Sequence, residues 1–405
     1  MTTQAPVSRV RELPLRGLRE RSYLNGTFAE LCRIESPSGH ERACAERVTA
    51  ELRALGVKVH EDDAGPVVGS DCGNLLAFIS SDWPSGSEES AKKGRSLMLC
   101  AHLDTVPLQA PVEPVLLKGG WENANDGILG ADNKAAVAVL LALARHVRRE
   151  GAPVDVELLF TVGEEEALAG ARAFDASRLN SDFGFVFDHA SPIGEVVVDS
   201  PTHFRIEASF HGAAAHAGIR PEEGRNAILA AARAIASMQL GRLDAGTTVN
   251  VGTIAGGTAM NVVAESCTLV AEARALDDQR AEAVVAEIVD RLHEAANLPD
   301  CDCDVDISVQ RSFSGYSLPV NSRPVRVAEQ ALRACGHEPV RIASGGGSDA
   351  NALIAQGFAT VNLANGTERN HEPGERVSTA ALEEMLDVAL ALLDEAAGVG
   401  PAAAA

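Results

Sequence analysis

Histidine and carboxylate side chains stand where several apolar runs of this 405-residue chain end. Imidazole and carboxylate groups are the ligands of catalytic Zn²⁺-type sites, and five separated positions suit two metal ions better than one. The sequence therefore predicts a metalloenzyme. The candidate residues are His102 and Asp104 after SLMLCA, Asp132 in GADNKAA, Glu164, Glu165 and Glu166 after LLFTVG, Asp188 after FGFVF, and His371 in NGTERNHEPGE.

Several of these residues also have an ordinary structural explanation. His102 and Asp104 lie two apart, so on a strand they point the same way, as a metal-bound histidine and its orienting carboxylate do. Ordinary surface bonding at the end of a strand is the alternative for this pair. Asp132 could bridge two cations through its two oxygens, or cap the helix that follows it. His371 could be a ligand or a surface histidine in a polar loop.

The acidic run from Glu164 to Glu166 is the sharper pattern. Three adjacent carboxylates at the end of an apolar strand repel one another and resist burial unless cations or protons compensate them. A solvated acidic turn is the alternative. The metal interpretation gives one glutamate to an ion and leaves its neighbour as general base for a water whose pKa is lowered towards ~7. At the end of FGFVFD, either Asp188 or His189 could be a ligand.

Apolar strand-like runs alternate with helical runs over the first half of the chain. Strands are predicted at 75–80, 96–103, 154–162 and 183–188, and helices at 42–56 and 132–150. This alternation predicts an α/β fold with a mostly parallel mixed sheet and helices on both faces. In such sheets ligands bind beyond the carboxyl ends of the strands, where the candidate residues lie. A polar surface loop is predicted at 83–94.

The pattern changes near residue 200. Strands there alternate between apolar and polar residues, as in half-exposed antiparallel sheets, and two helices accompany them. These features predict a smaller α/β sandwich inserted into the first domain. We expect a discontinuous catalytic domain at 1–199 and 316–405, and an inserted domain at 200–315.

Composition limits the partners and the compartment. The net charge of −22 argues against nucleic acid or an anionic membrane, because both need a basic face. No run of roughly 18 or more apolar residues predicts a membrane helix, and the first residues lack the apolar core of a secretory signal. The eight cysteines form no CxxC pair, which favours free thiols in a reducing compartment. A cytoplasmic protein is the expectation.

Seven motifs, in order, resemble those of the acetylornithine deacetylase / carboxypeptidase G group of dizinc exopeptidases. Within this group the chain is most similar to the peptidase T-like (tripeptide aminopeptidase-like) branch, over about residues 35–395. The succession of the motifs is specific, although each string alone is weak. The motifs are AHLDTVP, GADNKAA, FTVGEEEALAGA, FHGAAAHAGIRPEEGRNAI, GTIAGGTAMNVVAE, SGGGSDAN and NHEPGE.

The resemblance implies a zinc-exopeptidase catalytic domain and an inserted dimerisation (lid) domain, and therefore a homodimer. It also implies two divalent ions, with Zn²⁺ preferred and Co²⁺ or Mn²⁺ compatible with the same ligands. A cis peptide bond is expected between Asp132 and Asn133. The implied metal ligands are His102 and Asp188 for one ion, Glu165 and His371 for the other, and Asp132 as the bridge between them.

Catalytic roles also follow from the resemblance. Asp104 would orient His102, and Glu164 would be the general base on the bridging water. Glu166 lengthens the family's glutamate pair, so the register of base and ligand could slip by one. Counting from Thr161, as in the family's spacing, favours Glu164 as base and Glu165 as ligand.

The inserted domain gains a role through the same resemblance. His216, set among small residues, would reach the partner subunit's active site and stabilise the oxyanion; His211 is its competitor. Asn261 and Arg274 resemble positions that bind the polar or carboxylate end of the substrate, although Arg274 could equally be a surface strand residue. The backbone of the glycine-rich loop around Gly347 would line the pocket.

These observations predict a hydrolase of amide bonds that releases the N-terminal residue of short peptides. The Asn133–Lys134 pair after the predicted bridging aspartate resembles the peptidase T-like branch more than the deacylases, and this resemblance favours peptides over acylated amino acids. One alternative is an N-acyl amino acid deacylase or a carboxypeptidase of the same fold. A second alternative, of a different class, is a non-catalytic peptide-binding relative.

Overall fold

The structure is a computed structural model that describes residues 18–81 and 96–398. The polar loop predicted at 83–94 and both ends of the predicted catalytic domain lie outside the described residues. The helices are α1 Leu18–Cys32, α2 Arg42–Ala54, α3 Gly65–Val68, α4 Ala131–Glu150, α5 Ala169–Ala173, α6 Ala227–Ser237, α7 Asp278–Ala296, α8 Arg323–Ala334, α9 Asp349–Ala355 and α10 Thr379–Gly398. The strands are β1 Val59–Glu61, β2 Leu75–Ile79, β3 Ser96–His102, β4 Pro114–Leu117, β5 Gly120–Asn123, β6 Asp155–Thr161, β7 Phe183–His189, β8 Glu195–Ser200, β9 Thr202–His211, β10 Gly241–Asp244, β11 Thr247–Gly256, β12 Ser266–Ala275, β13 Asp304–Phe313, β14 Tyr316–Ser317, β15 Val340–Ala343, β16 Ala359–Ala364, β17 Thr367–Glu368 and β18 Arg376–Ser378.

A large mixed sheet forms the centre of the fold, with the order β1-β2-β6-β3-β7-β16-β8-β14 and β15 beside β8. Its middle strands β6, β3, β7 and β16 run parallel, and β2 and β8 flank them antiparallel. Between Ser96 and His102 the sequence of β3 is apolar because both of its faces are covered. Leu97 and Leu99 belong to the core that includes α4, while Met98 and Cys100 pack with residues of α9 on the other side. The predicted sheet covered on both faces is confirmed.

A second sheet of five antiparallel strands has the order β10-β11-β12-β9-β13. The alternate residues of β9, from Phe204 to Phe210, are buried against α6 and α7, and the residues between them lie on the opposite face. The chain enters this sheet between Ser200 and Thr202, and returns to the large sheet between Phe313 and Tyr316. The predicted inserted α/β sandwich is confirmed as a feature of the fold.

A small sheet of β17, β18, β5 and β4 packs against α4 and was not predicted. Its strand Gly120–Asn123 falls in the Gly- and Asn-rich stretch before Asp132, where the sequence lacks the apolar alternation of a strand. This sheet brings the segment after β17, which carries His371, close to the start of α4. Among the described residues, no helix is both long and apolar enough to cross a membrane.

Candidate metal centre and active site

The five predicted metal ligands converge at the carboxyl edge of the parallel strands. His102 is the last residue of β3, Asp188 lies near the end of β7, and Glu165 follows β6. Asp132 stands in the first turn of α4, and His371 comes from the loop after β17, with a positive φ of 68°. Strand ends that are distant in sequence meet here because parallel neighbours terminate at the same edge of a sheet.

Two groups of side chains share Asp132. In the first group, His102 Nε2 lies 3.2 Å from Asp132 Oδ1 and 3.5 Å from Asp188 Oδ1. In the second group, His371 Nε2 lies 3.2 Å from Asp132 Oδ2 and 2.9 Å from Glu165 Oε1. Within each group one potential ligand atom per residue lies within 4.8 Å of the others. The two oxygens of one carboxylate therefore face two separate donor sets.

Asp132 does not cap the helix α4, which was the alternative role for this residue. Gly130 occupies the position before α4, and the side chain of Asp132 is directed at the two histidines instead. The peptide bond between Asp132 and Asn133 is cis, as the resemblance implied. At the end of β7, Asp188 joins the cluster, whereas the described metal-ligand groups do not include His189.

Asp104 holds both the histidine and the glutamates of the site. His102 donates its Nδ1–H to the backbone carbonyl of Asp104 at 3.0 Å, and Asp104 Oδ1 lies 3.3 Å from the same nitrogen. A proton fixed on Nδ1 leaves the lone pair of Nε2 directed at the carboxylates. The Asp104 carboxylate also accepts the backbone N–H groups of Glu164 at 3.0 Å and Glu165 at 3.1 Å. The contact between the Asp104 carboxylate and the backbone of the two glutamates was not predicted.

The turn that carries the glutamates is fixed by two further side chains that the sequence did not indicate. Val162 donates its N–H to Asn74 Oδ1 at 3.1 Å, and Gly163 donates to Glu41 Oε1 at 3.0 Å. With the two bonds to Asp104, four successive backbone donors are satisfied by side chains of other segments. Buried donors require such partners, and here the partners also set the direction of the glutamate side chains.

Glu375 fixes the backbone around Asp132, the predicted bridging aspartate, in the same way. Its Oε2 accepts the N–H groups of Leu129 and Gly130, and its Oε1 accepts that of Asp132, all at 2.8 Å. The carboxyl group is buried, and burial raises its pKa to about 7. Asn370, from the same loop, donates to Asp132 Oδ2 at 2.8 Å. One loop therefore supplies the predicted ligand His371 and also holds the backbone and side chain of Asp132.

Glu375→Gln is expected to weaken metal binding by about 10–100-fold. Glutamine keeps the shape but has one acceptor oxygen, so an N–H of the loop would face an amide NH₂. A competition titration with a chromogenic chelator measures the affinity for both ions. The exposed neighbour Glu372, exchanged for glutamine, serves as control and should leave the affinity unchanged. Equal affinities for wild type and Glu375→Gln would contradict the positioning role.

The charges of the site need positive partners. Burial raises the pKa of Asp188 to about 8, and burial together with the charge of Asp188 raises the pKa of Glu164 well above its usual range. Burial also raises the pKa of Glu165. The pKa of His371 rises to about 10 because it contacts Asp132 and Glu165. Burial opposes the charge of His102, but the neighbouring carboxylates outweigh it and raise its pKa.

These residues fit a pair of divalent cations. A divalent ion in each donor group would supply the positive charge that these carboxylates need and would leave the imidazoles neutral as ligands. Glu165 Oε1 and His371 Nε2 lie 2.9 Å apart without the geometry of a hydrogen bond, which is the arrangement expected of two donor atoms that would share an ion. The donors are nitrogen and carboxylate oxygen, the set that suits zinc and its neighbours.

A cavity of about 680 Å³ opens in front of the cluster. Its lining includes Glu164, Arg274 and Gly347 among the predicted residues. Gly347 cannot carry a side chain without movement, because an added Cβ would lie 2.5 Å from the ring of Phe313. Arg274 is not a free surface residue: its guanidinium donates to Glu272 at 2.9 and 3.2 Å.

His216 and Asn261 lie together but outside the cavity lining. The strand bridge between His216 and Val262 joins their two loops, and Ala217 donates its N–H to the carbonyl of Asn261 at 3.0 Å. Both His216 and Asn261 are exposed. His211, the alternative to His216, contacts Asp306 at 3.1 Å at the far end of β9. Within one chain, neither His216 nor Asn261 lines the cavity that contains the predicted metal ligands.

Two family models match the chain. Residues 202–298 match a peptidase dimerisation domain, and residues 84–216 match peptidase family M28. The second stretch contains the ends of β3, β6 and β7 that carry the cluster. The fold, the cluster and these matches define a metallo-exopeptidase with an inserted dimerisation domain.

Relatives that extend over nearly the whole chain specify the family. An uncharacterised Bacillus subtilis protein, YqjE, is 33% identical over 91% of this chain and 97% of its own length. The crystal structure of aminopeptidase PepT from Bacillus cereus is 33% identical, covers 93% of this chain and 99% of its own, and superposes with a TM-score of 0.79. A tripeptidase structure from Staphylococcus aureus is 31% identical, with 94% and 99% coverage and a TM-score of 0.85. The chain belongs to the peptidase T-like branch of the M20 metallopeptidases.

Proposed function

We propose that this protein is a dizinc aminopeptidase that releases the N-terminal residue of short peptides. The supporting observation is a cluster in which one buried carboxylate faces two N/O donor sets at the edge of a cavity of about 680 Å³. Cavities of this size hold small molecules and short peptides. The similar proteins of known structure are described as an aminopeptidase and a tripeptidase.

In the proposed site, Asp132 would contribute to holding both ions. His102 and Asp188 would complete the first set of ligands, and Glu165 and His371 would complete the second. When bound, the ions would supply Lewis acidity, which polarises the scissile carbonyl and makes water a stronger acid. This assignment leaves one carboxylate of the acidic run without a ligand role.

Glu164 is that remaining carboxylate, and we assign to it the proton transfers. It is buried, it lines the cavity, and Asp104 fixes its backbone N–H. In this role Glu164 accepts a proton from the attacking water and later gives it to the leaving amine, which becomes the new N-terminus of the product. Arg274, on the opposite wall, would receive the carboxylate end of the peptide.

The assembly belongs to the same proposal. Residues 1–199 and 316–405 would form the catalytic domain, and residues 200–315 would dimerise and deliver His216, with Asn261 beside it, to the partner's site. The chain leaves and rejoins the large sheet close to these bounds. The eight cysteines are free thiols, and seven of them are buried, which suits a reducing compartment such as the cytoplasm.

Metal-loaded protein should release the N-terminal residue from unmodified tripeptides, and chelation should remove this activity. A panel of tripeptides, dipeptides, N-acetyl amino acids and C-terminally blocked peptides, analysed by mass spectrometry, distinguishes the alternatives. Cleavage of the acylated substrates alone would replace the proposal with a deacylase. Release of the C-terminal residue would make the protein a carboxypeptidase. Binding of peptides without cleavage of any panel member would identify a non-catalytic relative.

A further inference from the structure

The wall of the cavity opposite the metal ligands is a polar face of the inserted sheet. Strands β9, β12 and β13 contribute His203, Arg205, Arg274 and Gln310 to the lining. These side chains alternate with the buried residues that pack on α6 and α7, so the sheet turns this face towards the catalytic residues. The pairing register of the strands fixes which side chains are neighbours on this wall.

Two arginines are neighbours on this wall. Arg205 pairs with Glu272 across β9 and β12, and Arg274 pairs with His203 two residues further along. Arg205 and Arg274 are therefore diagonal neighbours, roughly 7–8 Å apart at the backbone. Side chains of this length can bring their guanidinium groups to the two carboxylates of one small molecule.

Each arginine forms a hydrogen-bonded ion pair with a glutamate of its own strand. Arg205 donates Nε–H to Glu207 Oε1 at 2.6 Å, and Arg274 donates Nε–H and Nη2–H to Glu272. Glu272 also contacts His203 Nε2 at 3.1 Å. Contacts with His203 and Arg274 lower the pKa of Glu272 to about 2, so it remains ionised. The tethers orient the guanidinium groups, because they occupy the Nε side of each fork.

The outer donors of Arg205 have no protein acceptor. Among the described residues, neither Nη1 nor Nη2 of Arg205 makes a hydrogen bond, and 51% of the side chain is exposed. Nη1 of Arg274 has one long contact, to the carbonyl of Gly345 at 3.3 Å. The acidic residues of the lining belong to the opposite side, which comprises the metal cluster and Glu166. The outer N–H groups of the two guanidinium groups are therefore available to donate hydrogen bonds to a ligand.

We propose that Arg205 is a specificity-determining residue that selects peptides with a C-terminal glutamate or aspartate. Arg274 would take the α-carboxylate, and Arg205 would take the side-chain carboxylate of the same residue. Forked guanidinium groups match carboxylates in geometry and charge. The amide of Gln310, opposite Arg205 on β13, adds a neutral hydrogen-bonding group to the wall. This inference rests on the proposed peptidase function and specifies its substrate class.

The test compares two substrates of the same shape. Alanyl-alanyl-glutamate and alanyl-alanyl-glutamine differ in one charge, and the wild-type enzyme should hydrolyse the first with a kcat/KM at least ~10-fold higher, the equivalent of one charge-assisted contact. Arg205→Gln should bring this ratio close to one, mainly through a higher KM for the glutamate peptide. Arg205→Lys should keep part of the preference, because the charge remains but the fork is lost.

Arg242 provides the matched control. It is exposed on β10 of the same sheet and outside the cavity lining, so Arg242→Gln should retain the wild-type ratio. Equal kcat/KM values for the two peptides in wild type, or a preference that survives Arg205→Gln, would overturn the assignment of Arg205. Failure to cleave either peptide, or any other short peptide, would instead refute the proposed function, so the two failures are distinguishable.

Discussion

Glu164→Gln should lower kcat by about 10²–10⁴-fold, the range that a positioned general base contributes, and leave two metal ions bound. The amide has nearly the same shape and cannot accept the proton of the attacking water. The backbone bond from Glu164 to Asp104 does not involve the exchanged atoms, so the turn should stay in place. Steady-state kinetics and metal analysis by plasma mass spectrometry on the same sample measure both quantities.

The register of the acidic run is the alternative that this experiment tests. Glu165 lies 2.9 Å from His371, as expected for a shared ion, but Glu164 also has an oxygen close to His102 and Glu165. Loss of one metal from Glu164→Gln would make Glu164 a ligand and refute its assignment as base. Glu166 is exposed, and Glu166→Gln is the matched control because it removes a carboxylate of the same run. This control should retain both metals and most of the turnover.

Three of the predicted metal ligands, His102, Glu165 and Asp188, were recognisable as candidates because each lies at or just beyond the end of a strongly apolar strand. A strand with an uninterrupted apolar interior, such as β3 between Ser96 and His102, must be covered on both faces, and its end therefore marks an edge of the sheet. A histidine or carboxylate that follows such an apolar run can therefore be placed at that edge from the sequence alone. The choice of Asp188 over His189 was not predictable from alternation, because the last residues of a strand need not maintain it.

The residues that hold the ligands were not predictable in the same way. Glu375 accepts backbone N–H groups from residues more than 240 positions earlier, and Asn74 does so from 88 positions later. Such contacts leave no local pattern, because any buried carboxylate or amide could receive any buried donor. The burial of Glu375 was the missing information: a glutamate in a polar loop is expected to be exposed. For the same reason, the sequence did not predict that Glu41 and Asp104 accept backbone N–H groups of the turn that carries the glutamates.

His216→Ala should lower kcat by about 10²–10³-fold, the effect of losing one oxyanion donor, while metal content stays at the wild-type level. His216 Nδ1 accepts the N–H of Gly218 at 3.2 Å, so Nε2 is the nitrogen left to donate. The ring is exposed and absent from the lining of its own cavity. Ile219 and Met260, in the same pair of loops, are 68% and 101% exposed, as apolar residues of an interface would be in a separated chain.

Mixed dimers decide whether His216 acts in its own chain or across the interface. A dimer of one His216→Ala chain and one Glu164→Gln chain has a single complete site if the histidine crosses, because the chain with the base then receives the intact imidazole of its partner. Random assembly of equal amounts should restore about a quarter of the wild-type activity. If His216 served its own site, every site in the mixture would lack either the base or the imidazole, and no activity would return. Two affinity tags allow the mixed dimer to be isolated and its metal content to be checked, so that absence of activity can be attributed to the position of His216 and not to loss of metal or of assembly.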